Sequence, residues 1–173
     1  MNKLVIDTNV LLVANEQHHD VSDECIEECI RRLRTIQESG ITIIDDGYRI
    51  LGEYQNKTRL NPPKGVGDVF LKWLLRNPQR IESVSLNETA QDCFVEFPDS
   101  VLEPLFDAPD RKFAAVAYAH PDKPPILQAA DCKWLDWWPV LNTKGVRVEF
   151  LCPTDACKFY QNKFPNKAKP ELP

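Results

Sequence analysis

Four acidic side chains stand at points in this chain where they could share a chemical task. Asp7 directly follows the apolar run Lys3-Leu4-Val5-Ile6. Glu53 lies within Ile50-Leu51-Gly52-Glu53-Tyr54, soon after a second apolar run, Ile41 to Ile44. Asp110 opens the stretch Asp110-Arg111-Lys112-Phe113-Ala114-Ala115-Val116-Ala117, and Asp131 closely follows the run Ile126 to Ala129. Carboxylates brought together repel, which disfavours ionisation unless a cation neutralises them. A donor set of acids without histidine suits a hard ion, Mg2+ or Mn2+, rather than zinc. Such an ion activates water and stabilises an in-line transition state at phosphorus. Each acid also has a plain structural reading. Asp7 and Asp131 are ordinary residues for turns after strands, Asp110 is a ready helix N-cap, and Glu53 could be a solvated helix residue. The order and context of all four are more specific than any one of them.

The elements that must position these acids follow from periodicity. Residues 3–6 read as a buried parallel strand, and Val10 to Val13 as the start of a helix. Ser22, Asp23 and Glu24 open a longer helix, with Cys25, Ile26, Cys29, Ile30, Leu33 and Ile36 at helical spacing and Gly40 as its stop. A strand at 41–44 precedes a helix over roughly 48–59, which Pro62 and Pro63 end. A third helix spans 66–76 and a short strand lies near 80–86. Residues 88–95 read as helical and 97–109 as a loop. Asp110 begins a strong helix with Phe113, Ala114, Ala117 and Tyr118 inward. Strands at 126–129 and 146–151 complete the set. This alternation predicts an α/β fold: a three-layer α/β/α arrangement around a central, mainly parallel sheet. Ligands of such sheets bind beyond the carboxyl ends of the strands, where Asp7, Asp110 and Asp131 should meet. Residues 1–152 read as one domain. Residues 153–173 add a helix, Thr154 to Lys163, and a loose, mildly basic tail.

Of the 173 residues, 43% are hydrophobic and 27% charged, as in an ordinary globular domain. No apolar run reaches the ~20 residues that cross a bilayer. The opening apolar stretch is interrupted by Asp7, Thr8 and Asn9, so no signal peptide and no membrane partner are expected, and a cytoplasmic location is the expectation. A net charge of -5 argues against a protein that coats polyanions, but not against a metal site built from carboxylates. The six cysteines form no C-x-x-C pair and the histidines lack zinc-finger spacing. Structural zinc is therefore not expected, without a secretion signal no disulfide is expected either, and Cys25 and Cys29 read as small core residues.

At these residues the chain resembles the PIN-domain nucleases. The opening strand followed by Asp7-Thr8-Asn9-Val10 carries the strongest likeness. Glu53 on an early helix, Asp110 at the head of an alanine-rich helix and Asp131 in Ala130-Asp131-Cys132-Lys133-Trp134 complete it, over roughly residues 3–151. The stretch 61–109 departs from the pattern. Asp107 stands as a rival to Asp110, and Asp136 as a rival to Asp131. The resemblance implies a metal-dependent endonuclease that cuts phosphodiester bonds, in RNA rather than DNA, leaving a 5′-phosphate and a 3′-hydroxyl. Asp7, Glu53, Asp110 and Asp131 would be both the catalytic residues and the ligands of Mg2+ or Mn2+. Thr8 or Asn9 would orient a water or a carboxylate. Many members of the family dimerise or are held by an inhibitory or complex partner protein, so a homodimer and such a partner belong to the same expectation.

Other readings compete. Lys57, Arg59, Lys64, Arg111, Lys112 and Lys133 lie near the acids in sequence and could meet phosphate, or could be plain solvated charge. Trp134, Trp137 and Trp138 could stack on bases, though core packing accounts for them better. A haloacid-dehalogenase-type phosphatase also places an aspartate after its first strand but needs D-x-D, where this chain has Asn9. A trapped aspartyl-phosphate at Asp7 would favour it. A PIN-like scaffold without catalysis and a DNA-directed nuclease are the remaining alternatives.

Overall fold

The computed structural model describes all 173 residues. Five parallel strands form the central sheet: β1 (Asn2–Ile6), β2 (Gly40–Asp45), β3 (Ile81–Val84), β6 (Ile126–Gln128) and β7 (Val148–Phe150), in the order β3-β2-β1-β6-β7. The expected three-layer α/β/α class is what the chain adopts. β1 is central. The chain leaves it toward β2 and β3 on one side, then returns to β6 on the other. This reversal makes the gap beyond the ends of β1 and β6 the switch point at which open α/β sheets bind ligands.

Helices α1 (Thr8–Ala14), α2 (Asp23–Ser39) and α4 (Val66–Arg76) pack on one another, and α5 (Arg111–Ala119) lies against β1, β2 and β6. Helix α3 (Arg49–Lys57) follows β2. The approach of α4 to α1 is close enough that a Cβ on Gly67 would fall 2.2 Å from the Leu11 carbonyl oxygen, so only glycine fits there. Val5, Ile6, Leu33, Ile43, Tyr54, Phe70, Phe113 and Ile126 are among the side chains with almost no exposure in the one large core. No helix is long and apolar enough to cross a membrane.

Three expectations require correction. Residues 88–95 are not helical: β4 (Glu88–Ala90) and β5 (Cys93–Phe94) form an antiparallel hairpin. Asp92 takes the left-handed conformation at its turn (φ 55°), which Asp tolerates better than most residues. The tryptophan-rich segment, given no element from sequence, is helix α6 (Trp134–Thr143), even though Pro139 lies within it. A disulfide is also present, between Cys25 on α2 and Cys152 at the start of α7 (Pro153–Lys163). The two cysteines are 127 residues apart, and only the return of β7 to the sheet edge brings them together.

The long loop 97–109 is held by aromatic packing. Phe106 stacks on Trp137 (ring centroids 3.9 Å apart) and meets Trp134 edge-on at 5.0 Å. Phe97 packs against Phe106 in turn. Trp134 and Trp137 are buried, so they anchor this loop and are not base-stacking platforms. Because this loop delivers Asp110, Phe106→Ala should cost about 3–5 kcal/mol of stability in urea denaturation. A loss below about 1 kcal/mol would show that the loop is held in another way.

Candidate metal centre

Asp7 leaves β1 and caps α1. Its Oδ1 accepts from the Asn9 amide at 2.8 Å, and its own amide donates to the Leu127 carbonyl on β6 at 3.0 Å. The side chain is 5% exposed. Its second oxygen, Oδ2, is buried with no hydrogen-bond partner, which a carboxylate oxygen seldom tolerates. The Asn9 side chain accepts from the Ala130 amide at 3.1 Å and ties the loop after β6 to the end of β1. In that loop the Asp131 amide donates to Gln128 Oε1 (3.2 Å), and Asp131 Oδ1 accepts from the Lys133 amide (3.1 Å). Tyr54, on α3, donates its hydroxyl to the Ile6 carbonyl just before Asp7.

The acids feel one another. Burial pushes the Asp7 carboxyl well above the usual carboxylate range, and the charges of Asp110, Asp131 and Glu53 push it further, against the pull of the Asn9 amide. Asp110 rises to about 7, first through burial and then through Asp131, with Asp107 adding to the effect and Lys133 and Lys112 opposing it. Asp110, Asp131 and Glu53 therefore all act electrostatically on Asp7, which stands at the carboxyl end of β1. Asp110 is reached through a short 3-10 turn, Ala108–Asp110, and makes no side-chain cap for α5. The plain N-cap reading is thus not what its carboxylate does.

Glu53 is held at the edge of this group. Thr8 donates its hydroxyl to Glu53 Oε1 at 2.5 Å, and the buried Lys112 ammonium pairs with Oε2 and with the Pro109 carbonyl. Lys133 pairs with Asp107. Two ammonium groups thus offset part of the negative charge. The cluster is correspondingly open: the only three metal-ligating side chains whose donor atoms close to within 4.8 Å of one another are Cys25, Cys29 and Cys152, not the acids. The donor set, all carboxylate oxygens with Asp7 Oδ2 buried and without a hydrogen-bond partner, is still of the chemistry that suits a hard cation.

The rival acids separate. Asp107 borders the site through Lys133 and its effect on Asp110. Asp136 points elsewhere, accepting from the Tyr160 hydroxyl (2.6 Å) and pairing with Lys167 at 3.5 Å. Among the basic candidates, Arg111 is committed to the Phe106 and Asp92 carbonyls, pinning the hairpin to α5. Lys57, Arg59 and Lys64 are exposed and form no ion pair. Sequence reasoning missed Asp45, fully buried at the end of β2. It accepts from the amides of Arg49 (3.0 Å) and Ile50 (2.9 Å) and so fixes the start of α3. Its signal was the same as that of Asp7, an acid ending an apolar strand. A cavity of about 580 Å3 lies at the opposite pole, lined by Lys3, Arg32, Arg147 and Glu149 among others, remote from these acids.

The raised Asp110 carboxyl has a thermodynamic consequence. Its folded form holds a proton that the unfolded chain, with a carboxyl near 3.9, has already lost. The contribution to stability is full below about pH 4 and is lost as the pH rises toward 7. Without divalent metal, Asp110→Asn should therefore be more stable than the parent at pH 8, by at least about 1 kcal/mol, and equal to it at pH 4. Mn2+ should stabilise the parent at pH 8 and much less at pH 4. An Asp110→Asn variant that is less stable at both pH values would show that this carboxylate is not under repulsion.

No family model, no curated protein and no solved structure matches this chain.

Proposed function

We propose that this chain is a metal-dependent endonuclease of the PIN-domain kind, hydrolysing phosphodiester bonds in RNA in preference to DNA. The observation that carries the proposal is the buried Asp7 Oδ2, without a hydrogen-bond partner, at the switch point of a parallel sheet, on a carboxyl that the charges of Asp110 and Asp131 help to raise. Mg2+ or Mn2+ bound there would neutralise the carboxylates, acidify a water and offset charge at phosphorus.

The remaining roles belong to the chain. Asp7, Asp110 and Asp131 would hold the ion. Asn9 fixes the spacing of Asp7 and Asp131 by binding Ala130. Thr8 and Lys112 orient Glu53. Lys112 and Lys133 supply positive charge beside the acids, where a phosphate of the substrate must come to lie. The preference for RNA rests on the family resemblance, carried by Asp7-Thr8-Asn9 and the three later acids.

A second reading, a PIN-like module that binds without cutting, draws on one observation: Lys112 and Lys133 already neutralise part of the cluster. Purified chain with Mn2+ and end-labelled RNA separates the two. Cleavage should require the metal and fall by at least about a hundredfold in Asp7→Asn, with the fold intact by circular dichroism. Thr8→Val, which releases Glu53 Oε1 and leaves Oε2 on Lys112, should cost about tenfold. Cleavage unchanged in Asp7→Asn would remove the assignment, and RNA binding without metal-dependent cleavage would select the second reading.

A further inference from the structure

Away from the acids, the amino-terminal part of α2 meets the junction between β7 and α7. Cys25 and Cys29 lie one helical turn apart on α2, and Cys152 precedes the first residue of α7. All three are buried. The Cys29 Sγ lies 4.0 Å from Cys152 Sγ, and all three sulphurs fall within 4.8 Å of one another. A disulfide needs two cysteines, and this cluster has three.

We propose that, once the Cys25–Cys152 bond is reduced, Cys25, Cys29 and Cys152 form a thiolate site for one thiophilic divalent cation, Zn2+ in the first instance. Zn–S bonds of about 2.3 Å set the sulphurs of a tetrahedral site about 3.8 Å apart. Cys29 and Cys152 already stand at that separation. Cys25 has only to withdraw on the order of 2 Å from its bonded position, within the reach of side-chain rotation. Cys25 and Cys152 also border a cavity of about 280 Å3, lined further by Ser22, Glu24 and Asp155, with room for a fourth, oxygen ligand. Soft thiolates select zinc over Mg2+ or Mn2+, so this site and the acidic one take different ions. A zinc-finger spacing rule cannot find it, because the third ligand lies 123 residues beyond the second.

The chemistry balances. A dithiol reductant supplies two electrons and two protons to the Cys25–Cys152 bond and is itself oxidised to a disulfide. The cation then displaces the protons of three thiols. Disulfide and metal are thus alternative clamps joining α2 to the β7–α7 junction, one for oxidising and one for reducing conditions. Neither clamp depends on nuclease activity.

Anaerobic titration of the reduced full chain with Co2+, a spectroscopic stand-in for Zn2+, tests it. A thiolate-to-cobalt charge-transfer band should saturate at one equivalent, disappear on adding Zn2+ and be absent from the oxidised chain. Cys29→Ser should weaken Co2+ binding by about tenfold or more. In the unaltered sequence, Zn2+ should protect Cys25, Cys29 and Cys152 together from alkylation, read by mass spectrometry, while Cys93 and Cys157 react at unchanged rates. If reduction alone unfolds the chain, Zn2+ should restore its circular dichroism. Absence of the band, tight binding by Cys29→Ser, protection that leaves Cys29 reactive, or failure of Zn2+ to restore a lost fold would each overturn the proposal.

Discussion

Buried negative charge without full compensation is the constraint around which this molecule is arranged. Asp7 is taken out of water at the end of the central strand and meets the charges of Asp110, Asp131 and Glu53 there. Desolvation and like-charge repulsion act in the same direction, so the cluster costs folding energy wherever these groups are ionised. Lys112 and Lys133 relieve part of that cost through Glu53 and Asp107. Neither reaches Asp7 Oδ2 with a hydrogen bond, which leaves one buried carboxylate oxygen without a partner.

Several contacts far apart in the chain hold this arrangement against its own repulsion. The Asp7 amide is bonded to β6, Asn9 to the loop after β6, and Tyr54 to the last carbonyl of β1. Asp45 caps α3 and thereby fixes the helix that carries Glu53. Phe106, stacked on Trp137 and edge-on to Trp134, secures the loop that brings in Asp107 and Asp110. The acids therefore rest on rigid elements and a pinned loop, the support a preorganised centre needs.

Much of this was legible in the sequence where the signal is local. Val5 and Ile6 followed by Asp7 mark a buried strand that ends in an acid at the carboxyl edge of the sheet, and the Cys25-to-Ile36 periodicity marks α2. The partitioning of the acids was less legible. Asp136 and Asp131 lie five residues apart, yet the α6 helix turns Asp136 toward Tyr160 while Asp131 stays on the loop beyond β6. The hairpin at Glu88–Phe94 escaped because its turn, Gln91-Asp92, lacks the glycine that usually marks a two-residue hairpin turn. The Cys25–Cys152 bond escaped because no local pattern reports a contact across 127 residues.

The proposed activity requires that Asp7, Asp110 and Asp131 jointly bind a hard cation. A crystal structure grown or soaked in Mn2+ at pH 8, with data collected at the manganese edge, tests it most directly. The expected result is an anomalous peak about 2.0–2.3 Å from oxygens of Asp7 and of at least one of Asp110 and Asp131, with Asp7 Oδ2 as a ligand. No peak among these acids at saturating Mn2+, or a peak held by other residues while Asp7 Oδ2 stays unpartnered, would contradict it.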